Sequence, residues 1–577
     1  MVIVVNWIAN SSLLSIQYGC MGKNIRLKDV LLASLKTVTG IQTPEVRLPE
    51  NQTFGDYSTN VAMVQAKEKE LSPRALAEEI KLKLEEDKNL SEYIENIEIA
   101  GPGFINFYLK DEALTNELKK VIKEKEEYGR NDTLKNKKIM FEYGQPNTHK
   151  LPHIGHLFSY IYGEATTRLL EASGATIYRA NYQGDVGLHV AKCLWAFKKA
   201  NPKVPSELQG KVELLQKMYQ EGSAAYEKNE QAQKDIQTIN KMIYQKDPGI
   251  VDLWTETRGW SVEYYKKFEE RLGTNYDRYY YESQVYHEGL KIVEENMGKV
   301  FVKSEGAIIF EGSKYGLHDR VFVTKYQTPT YEAKDLYLEN LKFKEWPFDL
   351  LVITTANEQN EYFKVVYKAL QVVNKKLEGR LKHIGFGMVN LKSGKMSSRT
   401  GQIISAVDLV DTVVDRVKQL STNANNYEEV GMGAIKYSFL KNNPLQNISF
   451  SIEESIADEG NSGPYLQYTV ARTNSVISKG NPKNTKVDYS KINKEEKILL
   501  RTITMYGEAV EMAAINYAPN LLCNYLYDLA QKFNGYYAIH KIIDTDNEAF
   551  RVELTAAVNQ ILKNGLNLLG ISAPERM

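Results

Sequence analysis

Residues Ile139 to Tyr182 read IMFEYGQPNTHKLPHIGHLFSYIYGEATTRLLEASGATIYRANY, and this stretch decides the fold. Ile139, Met140 and Phe141 form a short apolar run of strand character, and turn residues then carry the chain to Asn147. From His156 the apolar positions Leu157, Ile161, Ala165, Leu169 and Leu170 recur at helical spacing until Gly174 stops them. Ile177 to Tyr182 follows as a second β-rich run. Strand, helix and strand within about 45 residues make a βαβ unit, whose right-handed crossover demands a parallel sheet. Ligands of such sheets bind beyond the carboxyl ends of the strands, so the site is expected between residues 142 and 156.

Working outward, the chain of 577 residues is too long for one hydrophobic core. Its 43% apolar and 25% charged residues are ordinary globular values. Lys plus Arg and Asp plus Glu both count 73, so a polyanion would have to meet a local basic face rather than a bulk positive field. Three scattered cysteines, Cys20, Cys193 and Cys523, fit a reducing compartment and provide no structural zinc site. No other stretch is long and apolar enough for a membrane span, which predicts a soluble chain.

Residues 1–23 read as an ill-defined extension, with Met21 as an alternative start. Residues 24–130 alternate helical and strand patterns, including Pro73 to Lys83 and Phe104 to Leu109, and read as a small α+β domain. A Lys/Glu-rich linker leads to the catalytic α/β domain, 135–410. Polar, helix-prone residues at about 200–300 read as an insertion that interrupts the sheet. Ala307 to Phe310, Val321 to Val323 and Leu350 to Thr355 are expected to resume it. A stem at 411–454 precedes an all-α bundle at 455–577.

Two constellations carry chemistry. Pro152-His153-Ile154-Gly155-His156 falls where the first strand turns into its helix, where backbone N–H groups and the helix dipole favour an anion. Two imidazoles could donate to phosphate oxygens there, and Gly155 leaves room for a flat base. A surface helix feature or half a metal site would look the same in isolation. Gly394-Lys395-Met396-Ser397-Ser398-Arg399-Thr400-Gly401 is a glycine-flanked basic loop far downstream that could close over a triphosphate, although a solvated loop is its ordinary reading.

Together these segments resemble the HIGH and KMSKS signatures of class I aminoacyl-tRNA synthetases. FEYGQPNTHKLPHIGH, NYQGDVGLHVA, TYEAKD, HIGFGMVNLKSGKMSSRTG, GPYLQY and the terminal LLGISAPERM resemble the arginyl-tRNA synthetase family from residue 24 onward. The resemblance implies adenylation of L-arginine by ATP with Mg²⁺, transfer to tRNA(Arg), a monomer and a cytoplasmic location. It makes His153, His156, Lys150 and Lys395 the catalytic cations and donors, Lys150 replacing the second lysine of KMSKS, which is Ser398 here. Gly155, Met388, Met396, Ser397, Ser398 and Arg399 fall on the ATP side. In such adenylation the protein stabilises charge on the phosphates and needs no covalent nucleophile.

The same resemblance assigns arginine recognition to Glu142, Asn147, Tyr331, Asp335 and Gln359. Tyr331 and Asp335 face the guanidinium; Asn147, with Glu142 and Gln359, serves the α-amino and carboxylate groups, these three roles being exchangeable. A guanidinium is a rigid fork of donors, so carboxylates suit it. The competing explanation of Asp335 is a cap on a helix beginning at Leu336. Asp185 in GDVG reads as a turn residue and His189 as a packed histidine. Phe104 and Asn106 match positions that approach the tRNA corner, and Arg472 lies where the DALR-type anticodon-binding bundle begins. From Ser455 onward 13 basic and 13 acidic residues balance, so tRNA binding there requires a patch and stacking. In the family, adenylate formation generally needs bound tRNA. A non-catalytic tRNA-binding or arginine-sensing paralogue would have no use for His153, His156 and Lys395, and a non-tRNA nucleotidyltransferase would not need the flanking domains.

Overall fold

A computed structural model describes residues 26–49, 54–392, 405–420, 426–480 and 487–577. Two compact units divide the chain between Lys120 and Val121. In the first, β1 (Tyr57–Thr59), β2 (Ile94–Ala100) and β3 (Phe104–Leu109) form an antiparallel sheet in the order β1-β3-β2. Gly101 and Gly103, both at positive φ, make the β2–β3 connection tight, and Leu76, Ile80 and Leu84 of the helix Pro73–Glu85 supply buried apolar side chains.

In the second unit the strands are β4 (Lys138–Glu142), β5 (Thr176–Gln183), β6 (Arg278–Tyr281), β7 (Phe301–Ser304), β8 (Ala307–Phe310), β9 (Arg320–Val323), β10 (Leu350–Ala356), β11 (Leu381–Phe386), β12 (Val389–Leu391) and β13 (Ile448–Phe450). The main sheet is wholly parallel, in the order β11-β10-β4-β5-β6. The chain steps outward from β4 to β6, then returns to the other side of β4 as β10. The strand order therefore reverses between β4 and β10, which opens a crevice at their carboxyl ends.

Two expectations about this region are corrected. The 200–300 segment does not merely interrupt the sheet, because β6 within it pairs with β5 from Ala180↔Arg278 to Gln183↔Tyr281 and forms its edge. Ala307 to Phe310 and Val321 to Val323 do not resume the sheet; they belong to a separate antiparallel β7-β8-β9 sheet. Apolar runs of this length look alike in either setting, since pairing partners are not encoded in the run itself. Leu350 to Thr355 does lie in the main sheet, as β10.

Helices Glu282–Glu295, Tyr331–Glu345 and Asn360–Val373 cover one face of the sheet around Met140, Ala180, Tyr280 and Ile353. On the signature helix, Ile154–Ala172, the residues from Leu157 to Thr167 are all buried. Its Gly163 lies against Tyr143, where an added Cβ would overlap the ring. The C-terminal part is helical, with Gly463–Lys479, Pro519–Ile539 and Glu548–Leu568 as its longest members. Buried Cys193 and Cys523 are free thiols.

Gly163→Ala should overpack this contact and lower stability by about 1–3 kcal/mol, read as a fall in melting temperature. An unchanged melting temperature would mean that Tyr143 has room to move.

Candidate active site

Glu142 ends β4 fully inside the protein, and the turn that follows is bent tightly. Gly144 takes φ +90°, and any Cβ there would come within 2.6 Å of Tyr160 and Tyr276. Gln145 and His149 also adopt positive φ, an uncommon conformation for residues with side chains. The turn is held from the helix Val251–Leu272 of the inserted segment. Tyr265 donates to the carbonyls of Asn147 and Lys150, both at 2.6 Å, and Ser261 Oγ accepts from the His149 N–H. Thr257 meets the His149 ring. The insertion thus positions the residues before the signature helix.

His153 is the N-cap of that helix and His156 its third residue, and the two rings cap it reciprocally. His153 Nδ1 accepts from the Gly155 N–H at 3.1 Å, and His156 Nδ1 accepts from the His153 N–H at 3.2 Å. Their ring centroids lie 3.9 Å apart. A nitrogen that accepts from a backbone N–H carries no proton, so each neutral imidazole holds its proton on Nε2 and presents it as a donor. Burial, then His153 and Lys150, lower His156 to about 3; partial burial and Lys150 also lower His153. Gly155 is half-buried between them.

Lys150 extends over the Tyr219 ring at 4.3 Å, close enough for its charge to bear on both imidazoles. Lys395, Met396, Ser397, Ser398 and Arg399 lie outside the described residues. The chain on the far side of that stretch meets the signature directly: Ser405 pairs with His153, and the Ala406 N–H donates to the Pro152 carbonyl at 2.7 Å. Met388 is exposed, its N–H bonded to Asn447 Oδ1 at 2.9 Å.

The other residues read from the sequence fall around the same sheet edge. Asn147 bridges to Gly184 just beyond β5, where a Cβ would collide with the asparagine oxygen. Gln359, exposed, follows β10. Tyr331 opens the helix Tyr331–Glu345 and is 61% exposed. Asp335 lies inside this helix, whose N-cap is Thr330, so the capping explanation of Asp335 is corrected. It accepts from the Tyr362 hydroxyl at 2.6 Å. Burial pushes its carboxyl up to about 7; Tyr362 and Lys342 oppose this, while Glu142 and Glu332 reinforce it.

Sequence reasoning missed the rest of the cluster. Lys342, wholly buried, pairs with Glu142 and with Glu339, the latter at 3.0 Å. Lys334 pairs with Glu282, which follows β6, and lies 4.7 Å from the Tyr331 ring. Among the described residues, Glu142, Glu282 and Glu339 pair with the ammonium groups of Lys342 and Lys334, and Asp335 adds a fourth carboxyl beside them. Spacing offered one signal: Asp335, Glu339 and Lys342 fall at i, i+4 and i+7, a polar stripe on a helix face that packs on the sheet. Asp185 is buried, bound by Arg258 and by the Ser283 N–H and hydroxyl. His189 is lowered to about 3 by burial, then Lys150, and its ring meets the Gly184 carbonyl at 3.4 Å.

The first unit has its own cavity of about 550 Å³, lined among others by Arg47, Phe54, Asn60, Phe104 and Asn106. Phe104 is exposed there and Asn106 is buried. In the helical C-terminal part Arg472 lies over Tyr468 at 4.8 Å and Tyr537 at 5.4 Å, and donates to Asn534 Oδ1. Among the described residues no group of three or more His, Cys, Asp or Glu is placed to hold a metal, and no helix is long and apolar enough to cross a membrane.

Residues 117–452 match the family described as tRNA synthetases class I (R), catalytic domain, residues 466–577 the DALR anticodon binding domain, and residues 26–109 the arginyl tRNA synthetase N terminal domain. An arginine–tRNA ligase of Treponema denticola is 31% identical over 92% of this chain and 94% of its own. The chain belongs to the arginyl-tRNA synthetase family. Another relative, from Borrelia hermsii, is 30% identical over 96% of this chain and 99% of its own. The fold agrees with arginyl-tRNA synthetase structures from Thermus thermophilus (TM-score 0.80, 22% identity, 96% of this chain and 99% of that one) and Plasmodium falciparum (0.77, 20%, 96% and 98%). Both the capped histidine pair and the crevice between β4 and β10 lie within the residues matched by the catalytic-domain family.

The cap geometry yields a titration result. With histidine-selective labelling, NMR should show His156 neutral with its proton on Nε2 down to about pH 4. A proton on Nδ1 at neutral pH would contradict the reciprocal cap, and a titration near the ordinary value of about 6.5 would contradict the lowering by burial and Lys150.

Proposed function

We propose that the chain activates L-arginine with ATP to arginyl-adenylate and transfers the arginyl group to the 3′ end of tRNA(Arg), releasing pyrophosphate and AMP. Family membership over nearly the whole chain supports the reaction class. The observation that carries the substrate is the surplus of carboxylates over ammonium groups at the carboxyl ends of β4 and β6, beside the two imidazole donors. Arginine brings the guanidinium and α-ammonium that such a surplus needs, and charge-assisted hydrogen bonds contribute roughly 1.5–3 kcal/mol each.

In this reading Asp335 and Tyr331 take the guanidinium, and Glu142, Asn147 and Gln359 the α-amino and carboxylate groups. His153 and His156 donate Nε2–H to the phosphates as charge develops, and Lys150 supplies a fixed cation close by. Lys395 follows the pyrophosphate, and Gly155, Met388, Met396, Ser397, Ser398 and Arg399 complete the ATP side. Mg²⁺ would arrive with ATP, neutralising phosphate oxygens, since it is commonly bound through substrate phosphates. Residues 24–130 and 455–577 are read as the tRNA-corner and anticodon-binding domains. The exposed Phe104 ring beside its cavity suits stacking on a splayed base, and Arg472 between two tyrosines suits a nucleotide surface. Free buried thiols are consistent with a cytoplasmic enzyme, and the family resemblance with a monomer.

Aminoacylation with each of the twenty amino acids, with and without homologous tRNA, tests the proposal. Only arginine should be charged, and arginine-dependent ATP–pyrophosphate exchange should rise sharply when tRNA is added; a product with another amino acid would overturn the substrate. Asp335→Asn should raise the arginine KM at least about tenfold, because one charge-assisted contact is lost.

Arginine affinity should also depend on pH. A cation requires the ionised carboxylate, while Asp335 in its buried setting is half-protonated at about 7. Below that value binding must expel a proton, so the arginine KM should fall about tenfold per unit from pH 5.5 to 6.5 and level above 8. Glu332, Glu339 and Lys342 on its own helix, Glu142 on β4, Tyr182 on β5, and Tyr362 and Tyr367 on the next helix surround it. Glu339, also raised by burial, steepens the trend. Calorimetry in buffers of different ionisation enthalpy should register proton release near pH 7, and its absence would remove Asp335 from the site.

A further inference from the structure

Glu142 is held at both carboxylate oxygens. Lys342 Nζ donates to Oε2, and Gln145 Nε2 donates to Oε1 at 2.7 Å. The backbone of the same residue is tied as well, its carbonyl accepting from Thr354 Oγ1 on β10 at 3.3 Å. Lys342 has no other freedom: its remaining donors reach both oxygens of Glu339, each at 3.0 Å, and its side chain is shut off from solvent. Burial alone would favour loss of its proton, but Glu142 and Glu339 more than offset that and raise its pKa. Gln145 reaches Glu142 by taking φ +52°, so the sharp turn after β4 serves to bring its amide back onto the strand's last residue.

We propose that Lys342 and Gln145 are positioning residues for arginine binding, which clamp the two oxygens of Glu142 so that its remaining lone pairs face the amino acid. This rests on the reading of Glu142 as an arginine ligand. A carboxylate free to rotate would have to be ordered each time substrate binds, and one without its buried counter-ion would favour the protonated form, which attracts no ammonium. Neither residue touches the reacting atoms; both act through Glu142.

A double-mutant cycle in steady-state aminoacylation separates this role from a merely structural one. Lys342→Gln should raise the arginine KM about tenfold and Gln145→Gly about threefold, with KM for ATP and tRNA and kcat at saturating arginine little changed. Both effects should shrink to less than about twofold in a Glu142→Gln background. Parental arginine KM values with a lowered melting temperature, or effects that persist undiminished beside Glu142→Gln, would overturn the proposal. If Lys342→Gln does not fold, Gln145→Gly carries the test, because glycine suits the positive φ and the side chain it removes is the one bonded to Glu142. A Glu142→Gln enzyme with parental arginine kinetics would instead refute the reading of Glu142 itself.

Discussion

Backbone N–H groups at the start of a buried helix need acceptors, and here two imidazole nitrogens provide them. That bonding decides which nitrogen of each ring keeps its proton, and so which way the donors point. A charged imidazole could not accept at Nδ1, so the burial and neighbouring charge that keep His156 neutral also preserve its capping bond. The bend after β4, the clamp from Tyr265 and Ser261, and the pairing of Ser405 with His153 all serve to deliver the chain to this cap in one geometry.

Beside it lies a site with the opposite electrostatic design. Glu142, Glu282, Asp335 and Glu339 share two lysines. Isolated buried carboxylates are costly, and the cluster moderates that cost by internal ion pairs and by a raised affinity of Asp335 for its proton. The carboxyl edge of the sheet thus carries neutral imidazole donors at the start of one helix and an acid-rich cluster at the ends of β4 and β6, the arrangement on which the proposed binding of phosphate and of a cationic amino acid rests.

Much of this was legible in the chain. The βαβ unit and the carboxyl-edge location follow from apolar periodicity and turn residues, which are local properties; Glu142, Asn147, His153 and His156 are singled out by motif and by family resemblance. The errors have a common origin. Strand pairing is a tertiary property: β6, RYYY, lies inside a polar, helix-prone stretch that does not announce a sheet edge, and the short apolar runs of the separate β7-β8-β9 sheet do not name their partners. Asp335 could be a cap until the helix start was known, and Thr330 as the N-cap removes that reading.

The sequence by itself determined the family and the residue types of the turn before the helix Ile154–Ala172, because those rest on residues at short spacing. Only the tertiary structure decided that Lys342 neutralises Glu142 across two hundred residues of chain, that Lys334 meets Glu282, and that the inserted helix Val251–Leu272 holds the turn after β4. Ion pairs inside a protein depend on which helix packs over which strand end and on the water excluded between them. Neither distance nor dielectric is written in the order of residues.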